Sequence, residues 1–301
     1  MKIVVFGAGA IGSLFGALLA EHHSVIIVGR PSHISCIKKK GLTIKGKTHL
    51  TINVDAVESA QQITTPVDLI LLTVKSYDTI QAVTQVRPLL QKSTMIVSLQ
   101  NGLDNIEKIA QQIEKTHILA GVTTHGALFS GPGVITHTGL GTTVLGELDG
   151  RQTSRLVHLV NLFNRSGIQT QMSTTIIKEI WKKAVINSSI NPLTAFLECK
   201  NGYLLENPIL EKVVEAICRE SSFIASSNGI ILSFSEMIQV TKTIIRDTAQ
   251  NSSSMLQSLQ QGKKTEIDSI NGALIRRGVA HRLQTPLNSI LYDLISQQSS
   301  I

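Results

Sequence analysis

Aromatic side chains are scarce, with one Trp, three Tyr and seven Phe making up 4% of 301 residues. So few flat rings leave little on which nucleic-acid bases can stack. Cysteine is scarcer still: Cys36, Cys199 and Cys218 are odd in number, widely spaced and without a CxxC pair. That pattern indicates neither a disulfide framework nor a zinc site, so the three are expected to be reduced, buried thiols and no metal is expected. No stretch approaches the roughly 18 uncharged apolar residues that span a bilayer, and the apolar run after Met1 is too short for a signal-peptide core. A cytoplasmic location with no membrane partner is therefore expected. The triplets Asn187-Ser188-Ser189 and Asn251-Ser252-Ser253 carry no weight without export. The chain also lacks an internal repeat, a low-complexity tract and a linker rich in Pro or Gly.

Positive charge exceeds negative, giving a formal +7 and a sequence pI of about 9.4. The Lys and Arg residues are scattered, however, and only Lys38-Lys39-Lys40 forms a run. With aromatics so few, a nucleic-acid partner is not expected. A diffuse positive field suits small anionic ligands, and it equally suits simple solubility.

The most informative segment opens the chain. Lys2-Ile3-Val4-Val5-Phe6 is an apolar run of β-formers, Gly7-Ala8-Gly9-Ala10-Ile11-Gly12 follows, and Ser13 to Ala20 has helical spacing. In that order the glycines have distinct tasks. Gly7 permits a tight turn, Gly9 lets a pyrophosphate approach the backbone, and Gly12 lets helix and strand pack closely. A second β run, Ser24 to Val28, completes βαβ spacing, and the segment reads as a dinucleotide site. Where NAD-binding folds place an acid for the ribose hydroxyl, this chain has Gly29-Arg30-Pro31, and the nearest acids, Asp55 and Glu58, lie beyond a hairpin through Lys45-Gly46-Lys47. A guanidinium there pairs with a 2′-phosphate, so NADPH is expected over NADH, the alternative being a solvated Arg30.

Apolar β runs then alternate with helical patterns: Val67 to Val74, a helix to about Leu90, Met95 to Leu99, a helix from Asp104 to Ile113, and Ile118 to Thr124. The expected fold class is α/β, a doubly wound parallel sheet of Rossmann type followed by an all-α C-terminal domain. Gly133 to Leu148 reads as an antiparallel hairpin, and a helix near 154–164 and a strand near 168–172 close the first domain. Residues 1–169 are the expected nucleotide domain and 170–301 the expected helical substrate domain. Residues just beyond the strand ends face the ligand crevice in such sheets, which singles out Lys75 and Gln100-Asn101-Gly102. Lys75 could also be a plain surface lysine and Asn101-Gly102 a plain turn.

In the helical part, Lys183, Asn187 and Asn191 recur every fourth residue beside Ile176, Ile180 and Ala184, so they form a polar row at the edge of an apolar stripe. Asn191 precedes Pro192, where a helix tends to end, so it could merely satisfy that terminus. Glu266 begins a helical segment with Ile267, Ile270 and Leu274 and with Thr265 as N-cap. Spacing alone does not decide whether Glu266 complements a helix dipole or acts in catalysis, and Ser254 taken singly is an ordinary helix serine. The stripe Leu287, Ile290, Leu291 and Leu294 is expected to pack on its own domain, with a dimer interface as the alternative, so the chain is a monomer or homodimer.

Glu179-Ile180-Trp181-Lys182-Lys183-Ala184-Val185-Ile186-Asn187-Ser188-Ser189-Ile190-Asn191-Pro192-Leu193-Thr194-Ala195, with Ser253-Ser254-Met255-Leu256-Gln257 and Thr265-Glu266-Ile267-Asp268, resembles the ketopantoate reductase family, and the similarity runs across nearly the whole chain. The resemblance implies NADPH and 2-dehydropantoate meeting between the two domains, on the route to pantothenate and coenzyme A. By position it implies Lys183 as catalytic lysine, with Asn101, Asn187, Asn191, Asn201 and Ser254 on the substrate. Glu266 would contact the cofactor ribose or the substrate hydroxyl and share in catalysis. Gly7, Ala8, Gly9, Ala10, Ile11, Gly12, Asn101 and Ala127 would line the cofactor site, and Arg30 and Lys75 would hold the 2′-phosphate. Two departures are visible: Gln100 stands where relatives often have His, and Arg282 where Gly often follows the His. The competing functions are reduction of another small 2-oxo acid on the same fold and non-catalytic NADPH sensing.

Overall fold

The structure, a computed structural model, describes residues 1–298; residues 299–301, counted in the expected helical domain, lie outside the described residues. The chain divides into two units, one of Met1–Gln100 with Asn105–Ile177, the other of Asn101–Asp104 with Lys178 onward. The boundary expected at 169/170 falls beside the last strand of the first unit's sheet.

The first unit contains twelve strands: β1 (Lys2–Phe6), β2 (Ser24–Val28), β3 (Leu42–Gly46), β4 (Leu50–Ile52), β5 (Asp55–Val57), β6 (Leu69–Leu72), β7 (Met95–Ser98), β8 (Ile118–Thr123), β9 (Gly126–Gly131), β10 (Val134–Gly139), β11 (Thr143–Glu147) and β12 (Thr170–Met172). Eight form one sheet in the order β12-β11-β8-β7-β6-β1-β2-β5. Its pairs are parallel apart from β11 against β8. The runs in β1, β2 and β6 are apolar throughout because both faces are covered: Ile3, Val5, Val25, Ile27, Leu69 and Leu71 enter one core, and Val4, Phe6, Ile26, Val28, Ile70 and Leu72 enter the other. Side chains alternate along a strand, so only a two-sided core asks for an unbroken run. Each such fully buried aliphatic side chain contributes about 1.5–3 kcal/mol.

Helices α1 (Ala10–Ala20), α2 (Pro31–Lys40), α3 (Thr79–Val86), α4 (Asn105–Ala110) and α5 (Ser154–Arg165) belong to this unit. The hairpin expected over 133–148 is not formed. β10 instead joins a second sheet, ordered β4-β3-β10-β9, while β11 returns to the main one. β10 pairs antiparallel with β9 and parallel with β3. Gly141 between β10 and β11 abuts the Thr124–His125 backbone, where a Cβ would lie 2.4 Å from the His125 nitrogen. The expected hairpin through Gly46 is present as β3 against β4.

The second unit is helical: α6 (Ile176–Phe196), which begins at the end of the first unit, then α7 (Tyr203–Glu206), α8 (Pro208–Ser227), α9 (Phe234–Asp247), α10 (Ser254–Gln260), α11 (Asn271–Ala280) and α12 (Pro286–Gln298). Local chemistry sets several starts. Asn207 Oδ1 accepts the Ile209 N–H at 2.9 Å with Pro208 in the first turn, and Ser253 Oγ accepts the Leu256 N–H at 3.2 Å. Both are N-cap arrangements that satisfy otherwise unbonded first-turn donors.

Three expectations are corrected here. α6 does not end before Pro192 but carries it internally. The Glu266 segment starts as a short 3₁₀ turn, Ile267–Ser269, with Glu266 itself at the cap position, and α11 begins only at Asn271. In α12 the buried positions are Asn288, Leu291 and Ile295, while Ile290 is exposed. The apolar reading missed that rotation because Asn288 is buried through hydrogen bonds to Glu220 and Ser221. Of the thiols, Cys218 alone is fully buried, beside Ser189 and Thr241, and burial pushes its pKa up; Cys36 and Cys199 are half-buried.

Candidate active site

In the first unit the glycine loop is shaped by contacts that leave no space for side chains at two of its glycines. Gly7 adopts φ +115, and a Cβ there would lie 2.5 Å from the Val74 nitrogen. A Cβ on Gly12 would lie 2.1 Å from the Gly7 oxygen and 2.4 Å from Thr73 Oγ1. Thr73 Oγ1 in turn donates to the Gly7 carbonyl at 2.8 Å, and the Gly7 and Ala8 N–H groups donate to the Val28 carbonyl at 3.1 and 3.0 Å. Gly9 differs: a Cβ there meets no described atom within 4 Å, and as N-cap of α1 it provides no side-chain capping bond. Open space at an uncapped helix N-terminus is what a pyrophosphate requires, so these residues fit a dinucleotide.

Arg30 is the N-cap residue of α2 and is exposed, separated from β2 by Gly29. Lys75 follows β6 and is half-buried. Gln100 faces inward to the loop that carries Lys75: its Nε2 donates to the Val74 carbonyl at 3.0 Å and to Thr79 Oγ1 at 2.7 Å, and its Oε1 accepts from Ser98 Oγ at 3.1 Å. Ala127 lies on β9, half-buried, two residues beyond the buried His125.

His125 belongs to a chain of hydrogen bonds that sequence reading did not find. Its Nδ1 lies 3.1 Å from His137 Nε2, and His137 Nδ1 lies 2.9 Å from Thr48 Oγ1. Burial, with the neighbouring His137 adding to it, lowers the His125 pKa to about 4. Burial lowers the His137 pKa as well, which favours the neutral form of both rings.

In the second unit, α6 carries Lys183 and Asn187, both half-buried, and Asn191, which is buried. Asn101 lies in the short segment 101–104 that belongs to this unit, and its Nδ2 donates to Glu266 Oε2 at 3.4 Å. Glu266 is 6% exposed. The segment is fastened by the Leu103 N–H on the Ser269 carbonyl at 3.0 Å and by Arg276, which reaches Asp104 at 3.3 Å and Asp268 at 2.9 Å.

Ser254 opens α10 and is exposed. Its neighbour Ser253, not singled out by sequence, makes the structural link: Thr194 Oγ1 donates to Ser253 Oγ at 2.8 Å, and Ser253 Oγ lies 3.5 Å from the Asn191 carbonyl. Asn201 is buried and turned to the end of α9, its Nδ2 donating to Thr248 Oγ1 at 2.9 Å. Asn201 Oδ1 is buried with no hydrogen-bond partner among the described residues. The structure thus brings together Asn101 with Glu266, and the start of α10 with Asn191, while the Asn201 amide nitrogen is already engaged. Among the described residues no group of three or more His, Cys, Asp or Glu is placed to hold a metal ion, and no helix is long and apolar enough to cross a membrane.

A nucleotide-shaped glycine loop on a doubly wound sheet, followed by a helical unit with a lysine–asparagine row, defines an oxidoreductase of the two-unit Rossmann class. The family models described as ketopantoate reductase PanE/ApbA and its C-terminal domain match residues 3–150 and 175–299. The chain belongs to the ketopantoate reductase family. It is 38% identical to the 2-dehydropantoate 2-reductase of Pyrococcus abyssi, covering 100% of this chain and 99% of that one. With the Pyrococcus horikoshii enzyme of the same name identity is 39%, covering 100% and 98%. Among solved structures, the PanE/ApbA family ketopantoate reductase of Ralstonia eutropha JMP134 superposes with TM-score 0.92 at 30% identity, covering 100% and 99%. D-mandelate dehydrogenase with NADH and anilino(oxo)acetate superposes with TM-score 0.95 at 27% identity, also covering 100% and 99%.

Proposed function

We propose that the chain reduces 2-dehydropantoate to (R)-pantoate with NADPH, a step toward pantothenate and coenzyme A, in the cytoplasm as a monomer or homodimer. Residues 1–169 act as the cofactor domain and 170–301 as the substrate domain. The observation that carries the reading is the Lys183–Asn187–Asn191 row on α6, in a chain alike over its full length to curated 2-dehydropantoate 2-reductases.

Gly7, Ala8, Gly9, Ala10, Ile11 and Gly12 form the turn that seats the pyrophosphate at the N-terminus of α1, whose first-turn N–H groups and dipole favour an anion, Arg30 and Lys75 take the 2′-phosphate, and Asn101 and Ala127 line the remainder. Hydride donation is the chemistry NADPH supplies when bound. The chain's own residues do the rest. As the C2 carbonyl becomes a carbinol, its oxygen gains negative charge, which the Lys183 ammonium stabilises and then protonates. A positioned acid of this kind contributes about 10²- to 10⁴-fold. Asn187, Asn191, Asn201 and Ser254 orient the keto acid, with Asn201 offering its unpartnered Oδ1. Glu266, fixed by the Asn101 amide, accepts a hydrogen bond from the cofactor ribose or the product hydroxyl.

The likeness to D-mandelate dehydrogenase favours one second reading, reduction of a different 2-oxo acid. Loss of NADPH or NADH absorbance with 2-dehydropantoate, 2-oxoisovalerate and a phenyl-substituted 2-oxo acid separates the two. Selective turnover of 2-dehydropantoate with NADPH supports the proposal, whereas selective turnover of the aryl acid, or cofactor binding without any turnover, contradicts it.

A further inference from the structure

Pro192 lies inside α6 and has no N–H, so the Ser188 carbonyl one turn earlier loses its helical donor at a residue that is 0% exposed. The Asn271 amide stands at that carbonyl. Asn271 is 0% exposed, and its Nδ2 donates to the Ser188 carbonyl at 3.4 Å and to Asn288 Oδ1 at 2.9 Å. The contacts close into a ring: Asn288 Nδ2 donates to Ser221 Oγ at 3.1 Å, and Ser221 Oγ lies 3.1 Å from Ser188 Oγ. Ser188 is held at both its carbonyl and its hydroxyl. The anchor of the ring is Glu220, which accepts from Asn288 Nδ2 at 2.8 Å and from the Leu287 and Asn288 N–H groups at 3.0 and 2.9 Å.

Two features make this more than packing. The hydrogen bond that α6 lacks would join Ser188 to Pro192, the residues directly after Asn187 and Asn191, so slack there moves Asn191 relative to Lys183. Asn271 also terminates the segment that begins at Glu266, whose carbonyl accepts the Ser269 and Ile270 N–H groups at 3.1 and 3.2 Å. We propose that Asn271 is a positioning residue for the reaction: its amide replaces the hydrogen bond that Pro192 removes and so fixes the Asn187–Asn191 turn relative to the Glu266 segment. This rests on the keto-acid reductase reading above. Misplacement of a reacting group by about 1 Å costs up to about 10²-fold in rate, so a single restraining bond has a measurable effect on kcat.

The test is a double-mutant cycle of Asn271→Ala and Pro192→Ala, since replacing the proline by alanine supplies the N–H that the Ser188 carbonyl lacks. Read with whichever 2-oxo acid the unmodified chain reduces, Asn271→Ala is expected to lower kcat about tenfold while the NADPH Kd stays within about twofold. In the Pro192→Ala background the same substitution is expected to change kcat by less than about threefold. Thermal stability stays reduced in both backgrounds, because Asn288 Oδ1 loses its donor either way. An unchanged kcat for Asn271→Ala, or an equal loss in both backgrounds, overturns the proposal. Should Asn271→Ala not fold, Asn271→Leu, which keeps the branched side-chain shape but has no donor, enters the same cycle with the same two readings. Failure of the unmodified chain to reduce any 2-oxo acid overturns the functional reading itself and is seen before any variant is made.

Discussion

Asn101 and Glu266, 165 positions apart in sequence, meet with the Asn101 amide nitrogen 3.4 Å from a Glu266 carboxylate oxygen. The contact explains why the turn after β7 ends in Asn-Gly. Gly102 takes φ +104, and a Cβ there would lie 2.7 Å from the Ser269 carbonyl oxygen, three residues past Glu266. Only a residue without a side chain lets the segment lie on the Glu266 turn.

Gly102→Ala is therefore expected to disturb both stability and site. A side chain forced to positive φ against a backbone oxygen costs about 1–3 kcal/mol. Thermal unfolding should show that loss, and keto-acid turnover should fall more than cofactor affinity. Wild-type turnover in Gly102→Ala would remove the segment's role.

Cofactor choice is expected to follow Arg30. Arg30→Asp sets a carboxylate against a 2′-phosphate while giving a 2′-hydroxyl an acceptor, so the ratio of kcat/KM for NADPH over NADH should fall, by about tenfold or more. A ratio that does not move refutes the assignment of Arg30.

Among the described residues, two without glycine's freedom sit in left-handed backbone: Glu198 at φ 52 and Arg282 at φ 57. Both occupy the position after a helix C-cap. The Leu283 N–H bonds the Gly278 carbonyl at 2.9 Å and the Arg282 N–H bonds Val279 at 2.9 Å; the Cys199 N–H bonds Thr194 at 3.1 Å in the same way. This is the Schellman arrangement, in which glycine is the usual occupant. Arg282→Gly, and separately Glu198→Gly, are expected to stabilise by about 0.5–1 kcal/mol in denaturant melts, relief of strain outweighing the added freedom of the unfolded chain. Destabilisation in both would contradict this reading of the helix ends.

Acid stability should carry the mark of the buried histidines. His125 has an ordinary value of 6.5 lowered to about 4 in the fold, by burial first and by His137 second. The unfolded chain therefore takes up a proton that the folded chain refuses. The stabilisation is complete above pH 6.5 and is lost as pH falls toward 4, at up to about 1.4 kcal/mol per pH unit for one proton. Glu147 does not share this upper window: burial alone would raise its pKa, but hydrogen bonds from Arg155 and Thr153 outweigh that and hold it below 4.5. Melting temperature against pH should fall less steeply between 6.5 and 4.5 in His125→Gln than in the unmodified protein. Identical slopes would show that His125 does not govern the effect.

What could be read in the sequence was local. The glycine loop needs one turn, one close approach and one open position, and Gly7, Gly12 and Gly9 supply them within six residues. The row on α6 follows from helical spacing. What escaped was set by distant partners. β10 pairs with β3 some ninety residues earlier in the chain, so its apparent hairpin with β11 had no local sign of failing. α6 runs on through Pro192 with the Asn271 amide at the Ser188 carbonyl, and the buried face of α12 includes Asn288 bonded to Glu220; both contacts involve buried polar groups that a hydrophobic pattern counts as exposed. The Thr194–Ser253 bond is of the same kind: two small hydroxyls 59 positions apart.

The role of Lys183 as proton donor is tested most directly by NADPH oxidation with 2-dehydropantoate, run side by side for the unmodified protein and Lys183→Ala, with cofactor binding measured in parallel. Turnover is expected in the first, a fall in kcat of about two orders of magnitude or more in the second, and nearly equal NADPH affinity in both. A Lys183→Ala protein that turns over as fast as the unmodified one contradicts that role.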